Sequence, residues 1–169
     1  MPLFKTQLKR RRSKIAWNAS QQKEEKKVNS QRLKPETTIL LIMERKMLSD
    51  GLIAQARATT NFNMIAEDIY PMAVITATVN TPEIVVVEIP ESGEWHSAEK
   101  CLEICDMIHR DLPRCKQIIL CDEKDTVSCQ AAIKAKQKYR IDDFLFCTNS
   151  TKYLFSKLEL FIAPSSVAV

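Results

Sequence analysis

The carboxylate of Glu88 stands at the end of the apolar run Ile84-Val85-Val86-Val87, within the stretch from Pro82 to Ile89. Such a run between acidic residues reads as a strand buried on both faces, as in a parallel sheet covered by helices. In these sheets ligands and reacting groups gather at the carboxyl ends of the strands, so an acid at position 88 is placed to do chemistry. Two cysteines, Cys121 and Cys147, close two further apolar runs and are expected at the same edge, as a redox pair or, more in keeping with such thiols, as small apolar fillers. Cys101, Cys105 and His109 recur every four residues, with His96 upstream. Thiolate and imidazole suit zinc, but Leu102 and Ile108 share the stripe and mark it as a core face, so no metal is assigned to it.

These residues must be held by alternating elements. Strands are predicted at Ile39–Met43, Met64–Ala66, Ile84–Glu88, Gln117–Cys121 and Phe144–Phe146. Helices are predicted at Met47–Ala58, Tyr70–Val79 with Pro71 in its first turn, Ala98 to about Pro113, Asp125–Lys138 and Thr151–Ile162. Ser97 is a candidate helix cap, and Glu99 puts a carboxylate in the first turn, where the helix dipole favours it. The order is (βα)5, an α/β doubly wound five-stranded parallel sheet with right-handed crossovers and helices on both faces.

The charge is uneven. Residues 1–35 carry eleven Lys and Arg against Glu24 and Glu25, whereas the remainder carries fourteen basic and nineteen acidic groups. Residues 1–36 are therefore read as a basic, flexible N-terminal arm, 37–163 as the domain and 164–169 as a tail. Within the arm, Lys9, Arg10, Arg11, Arg12 and Lys14 could meet nucleic acid, an anionic membrane or an acidic partner, with Phe4 and Trp17 as stacking or anchoring groups; a solvated arm is the alternative. No stretch approaches the roughly 20 apolar residues of a membrane helix, and no signal-peptide core is visible. Six cysteines without a CxxC pair favour a reduced, cytoplasmic protein. No Ser-His-Asp grouping, P-loop or GxGxxG is present, and two glycines in 169 residues leave little room for a phosphate-cradling loop.

Residues 38–162 resemble the receiver domain of two-component response regulators, the chemotaxis-type, flavodoxin-like fold. Ile39-Leu40-Leu41-Ile42-Met43-Glu44 is similar to that family's first strand and its acidic pair, and Met47-Leu48-Ser49-Asp50-Gly51-Leu52 to the start of its first helix. Pro82–Ile89 is similar to the third strand, Ile118-Ile119-Leu120-Cys121 to the fourth and Asp142-Asp143-Phe144-Leu145-Phe146-Cys147 to the fifth. The resemblance implies that Glu88 stands for the phosphorylated aspartate and Met43 and Glu44 for the acidic pair. It likewise implies that Cys121 stands for the Ser/Thr hydroxyl and Cys147 for the lysine.

Each substitution weakens the implied chemistry. Mg²⁺ wants oxygen ligands in octahedral array, whereas Met43 offers a thioether. Glu88 is one methylene longer than aspartate, which displaces the carboxylate from in-line attack. Cys147 removes a fixed positive charge, and nothing in the pattern supplies another for a phosphoryl group of about −1.5 to −2 charge. The reading is a pseudo-receiver, not an enzyme, needing no cofactor and at most a weak Mg²⁺. Glu88 is then either a permanent charge holding one state or a solvated strand-end acid. Partners are expected to be another protein or a second copy, bound through residues 125–161, where Phe144, Tyr153 and Phe155 are the candidate aromatics. The alternatives are a phosphorylatable receiver using Glu88 and Glu44, or an adaptor for nucleic acid or membrane acting through the arm.

Overall fold

The computed structural model describes residues 36–162. The basic arm with Lys9, Arg10, Arg11, Arg12 and Lys14, and the tail 164–169, lie outside the described residues. Five strands run through the domain: β1 Thr37–Ile42, β2 Phe62–Glu67, β3 Ile84–Glu88, β4 Lys116–Cys121 and β5 Asp143–Phe146. They form one sheet in the order β2-β1-β3-β4-β5. Every neighbouring pair is parallel, with Ile42 opposite Val87, Glu88 opposite Leu120 and Cys121 opposite Phe146. The helices are α1 Lys46–Thr59, α2 Ala73–Asn80, α3 Ala98–Asp111, α4 Thr126–Gln137 and α5 Thr151–Ile162.

The sheet separates two cores. Leu40, Ile42, Val85, Val87, Ile119 and Cys121 face one way and pack with Ala73 and Ala77 of α2, Cys101, Leu102, Cys105 and Ile108 of α3, and Ala132 and Ala135 of α4. Ile39, Leu41, Met43, Ile84, Val86, Ile118 and Leu120 face the other way, against Leu52 and Ala56 of α1 and Leu154, Phe155 and Leu158 of α5. Every residue of β3 is buried, as a centrally placed parallel strand requires. Each large aliphatic side chain so covered contributes about 1.5–3 kcal/mol of transfer free energy, which is why the run could not be left at a sheet surface.

The differences from expectation are local. Strand β2 extends beyond Met64–Ala66 to Phe62–Glu67, because backbone pairing with all six residues of β1 outweighs its mixed side chains. The stretch from Tyr70 to Val79 divides: Tyr70–Met72 is a tight 3-10 turn carrying Pro71, and the α-helix begins at Ala73. Ser97 does cap α3, its hydroxyl accepting from the Lys100 amide at 3.4 Å, with Glu99 in the first turn. Cys101 and Cys105 are fully buried and His109 is exposed, so that stripe does not converge on a ligand.

Candidate functional site

The carboxyl ends of β1, β3, β4 and β5 lie along one edge of the sheet, which brings the Met43–Arg45 segment, Glu88, Cys121 and Cys147 to the same rim. Glu88 shares its parity along β3 with Ile84 and Val86, whose side chains lie on the α1/α5 side. It is 1 % exposed, which rules out a solvated strand-end acid. One carboxylate oxygen, Oε1, accepts from Nε of Arg45 and pairs with its Nη2; the other, Oε2, is buried without a partner.

Arg45 is the residue that sequence reasoning missed. It supplies a cation at the rim, where the sequence pattern offered none, and does so from the β1–α1 connection. It occupies the N-cap position of α1, where Ser, Thr, Asp or Asn would offer an oxygen to the free amides, and it makes no capping bond. A cation there also opposes the helix dipole. A residue that breaks the local helix rule twice signals a demand from elsewhere, here the buried acid of β3. The side chain remains 41 % exposed, and its Nη1 lies 3.5 Å from Glu91 in the β3–α3 loop. Burial lowers the guanidinium pKa, but hydrogen bonding and the charge of Glu88 outweigh it and hold Arg45 above its ordinary value.

Burial drives the pKa of the nearby Cys147 thiol up, and the Arg45 guanidinium draws it down too weakly to cancel this, so Cys147 is a neutral neighbour of the ion pair. Behind β3, the Tyr70 hydroxyl donates to the Glu88 carbonyl at 2.6 Å, and the Cys101 thiol donates to the same oxygen at 3.8 Å. The Tyr70 ring is buried and stacks on Trp95 at 5.3 Å between centroids, while the Lys100 ammonium lies 5.4 Å from the Trp95 ring centroid. Burial, then the charges of Cys101 and Glu88, raise the Tyr70 phenol well above its usual value, so it serves as a fixed donor.

The remaining predicted positions take different roles. Met43 reaches the rim but its side chain is wholly inside the α1/α5 core, a plug rather than a ligand. Glu44 is exposed. The amide of Cys147 donates to the Cys121 carbonyl at 2.9 Å, yet the two side chains belong to opposite cores. The thiol beside Cys121 is instead Cys129 of α4, at 3.9 Å between sulfurs. An open depression of about 350 Å³ adjoins the rim, lined by Glu91, Asp122 and Asp125 against Lys124 and His96.

At the other side of the domain, β5 is an edge strand flanked by α4 and α5. Asp143 ties the three elements, accepting from Lys136 of α4 at 2.5 Å and Lys157 of α5 at 3.4 Å. Of the aromatics expected there, Tyr153 is exposed and Phe144 half-buried, but Phe155 is a core residue set edge-to-face against Phe62 at 6.2 Å. It lies on the inner face of α5, one turn from Leu158, and offers nothing to a partner.

Among the described residues no helix is long and apolar enough to cross a membrane. No protein-family model and no curated protein matches the chain. Solved structures do. A response regulator from Thermotoga maritima is 17% identical with a TM-score of 0.61, covering 76% of this chain and 99% of its own. A DNA-binding response regulator of the LuxR family from Staphylococcus aureus is 17% identical with a TM-score of 0.60, covering 74% of this chain and 98% of its own. A structure described as adenylate cyclase from Rhodopirellula baltica is 16% identical, with a TM-score of 0.64 over 75% of this chain and 87% of its own. Residues 36–162 therefore have the α/β fold of response-regulator receiver domains, with five parallel strands and five α-helices among the described residues.

Proposed function

We propose that this chain is a pseudo-receiver: a receiver-like signalling domain that performs no phosphotransfer and acts by binding another protein. The observation that carries the reading is the Arg45–Glu88 pair. A phosphoacceptor must present an accessible carboxylate oxygen to an incoming phosphoryl group, and here the guanidinium holds one oxygen of Glu88 while the other is buried. The groups that would assist transfer also differ. Met43 is sealed in the core, Cys121 and Cys147 are neutral thiols, and the adjoining depression sets Glu91, Asp122 and Asp125 against Lys124 and His96, with no excess of cations for an anionic donor. The pair is a fixed contact that holds the rim in one arrangement, where a reversible modification would switch it between two.

The surface for the partner is the open β5 edge with its flanking helices. Val127 and Ile133 of α4 and Tyr153 and Leu160 of α5 are exposed apolar side chains on the two helices that flank β5, which ends the sheet among the described residues, and such a composition suits an interface better than a solvated face. The test is incubation of the full chain with acetyl phosphate, and separately beryllofluoride, each with Mg²⁺. The expected result is an unchanged intact mass and unchanged amide spectra at the rim. A phosphoryl adduct on Glu88, or a beryllofluoride-dependent spectral shift there, would instead establish a phosphorylatable receiver using Glu88 and Glu44.

A further inference from the structure

Cys121 and Cys129 form a thiol pair that neither the ion pair nor the β5 edge uses. Cys121 ends β4 with its sulfur fully buried, 3.7 Å from the Leu145 carbonyl. Cys129 sits near the start of α4, only partly buried, its thiol donating to the Asp122 carbonyl at 3.2 Å. The two sulfurs face each other at 3.9 Å across the short β4–α4 loop. A disulfide needs them at about 2.05 Å with Cβ atoms about 3.5–4.5 Å apart, and rotation about one χ1 moves a sulfur far enough to close that gap.

The geometry points to a reversible intramolecular disulfide between Cys121 and Cys129, formed by exchange with a small-molecule disulfide such as oxidised glutathione. Accessibility sets the order of events. The Cys129 thiolate attacks one sulfur of the small disulfide, breaking its S–S bond and expelling one thiolate. The Cys121 thiol then loses its proton to solvent and attacks the Cys129 sulfur, expelling the second thiolate. The protein gives up two electrons and two protons, and the small disulfide becomes two thiols. Burial, then the neighbouring Cys129, push the Cys121 thiol up to about 12, so it is the slower nucleophile of the two and enters through its 3.9 Å contact with the Cys129 sulfur rather than through its own acidity.

The other cysteines are poor competitors. Cys101, Cys105 and Cys115 are buried with raised thiols, as Cys121 is, but among the described residues none of them has a sulfur facing it as Cys129 faces Cys121. Cys147 packs on the opposite side of the sheet and is engaged by Arg45. The bond would tie the end of β4 to the first turns of α4 and fix the loop that carries Asp122, Lys124 and Asp125 along the rim depression. This inference does not depend on the pseudo-receiver reading.

The test uses the full chain, reduced, incubated with oxidised glutathione at neutral pH, alkylated and mapped after trypsin. Cleavage after Lys124 separates residues 117–124 from 125–134, so the bond appears as those two peptides joined. The expected result is that joined species, with an intact mass lower by about 2 Da and restored by dithiothreitol. Cys129→Ser should abolish it and Cys147→Ser should leave it. A glutathione adduct that persists on Cys129, a bond through Cys147 or between molecules, or no oxidation at all would each overturn the assignment.

Discussion

Removing Arg45 while Glu88 remains should expose how much the buried acid depends on its cation. Arg45→Met keeps an apolar stem of similar reach and deletes the guanidinium. Breaking a fully buried ion pair from one side costs about 3–5 kcal/mol, because the remaining charge is left in a poor solvent. Here Glu88 is 1 % exposed but the Arg45 side chain is 41 % exposed, so water already shares part of the interaction. The expected loss is therefore about 2 kcal/mol at pH 7. Glu88→Met leaves a half-exposed arginine that can turn toward water or Glu91, at a cost of about 1 kcal/mol. The double variant carries neither charge and should also lie about 1 kcal/mol below the parent, since a buried pair exchanged for apolar groups is close to neutral. The double-mutant cycle then yields a coupling of roughly 2 kcal/mol. Urea unfolding followed by circular dichroism measures all four proteins, with midpoint shifts read at constant m. Additive single losses, or Arg45→Met within about 0.5 kcal/mol of the parent, would refute the claim that Arg45 neutralises Glu88.

Two further outcomes follow from the same geometry. Tyr70→Phe deletes the 2.6 Å bond to the Glu88 carbonyl while keeping the stack on Trp95, and should cost about 1 kcal/mol in urea unfolding; an unchanged midpoint would mean that Tyr70 acts through its ring alone. Asp143 is buried, which raises its carboxyl pKa, but Lys136, the Phe144 amide and Lys157 outweigh this and hold it below the ordinary carboxylate value. Its stabilising effect is therefore present above the unfolded value of about 3.9 and is lost as pH falls through the lower folded value. Asp143→Asn should be less stable than the parent by about 1–2 kcal/mol at pH 7, with the gap closing toward pH ~2 in urea midpoints. A gap that stays constant across that range would assign the loss to packing rather than charge.

The elements were legible because their signals are local. The Ile84–Val87 run, the Ser97 cap and the spacing along α3 each constrain a few neighbouring residues, and the β-α alternation then leaves a parallel sheet as the way to bury them. Direction was legible too: residues that close strands in a parallel sheet reach the same edge, which puts Glu88, Cys121 and Cys147 at one rim, while Met43 joins them only through the resemblance to receiver domains. The sides they face were not. A strand buried on both faces shows no apolar–polar alternation, so nothing within β3 says whether Glu88 points toward α1 and α5 or toward the other helices. The pairing across 43 residues with Arg45 was fixed by how the start of α1 sits over the end of β3, and its one local trace is an arginine at a cap position. Likewise, Cys121 and Cys147 end neighbouring strands, but side-chain parity sends them to opposite cores and gives Cys121 the company of Cys129. Chain chemistry thus specified which groups stand at the rim; packing of helices onto the two faces specified which of them touch, because contact depends on parity and helix placement that no short stretch of residues encodes.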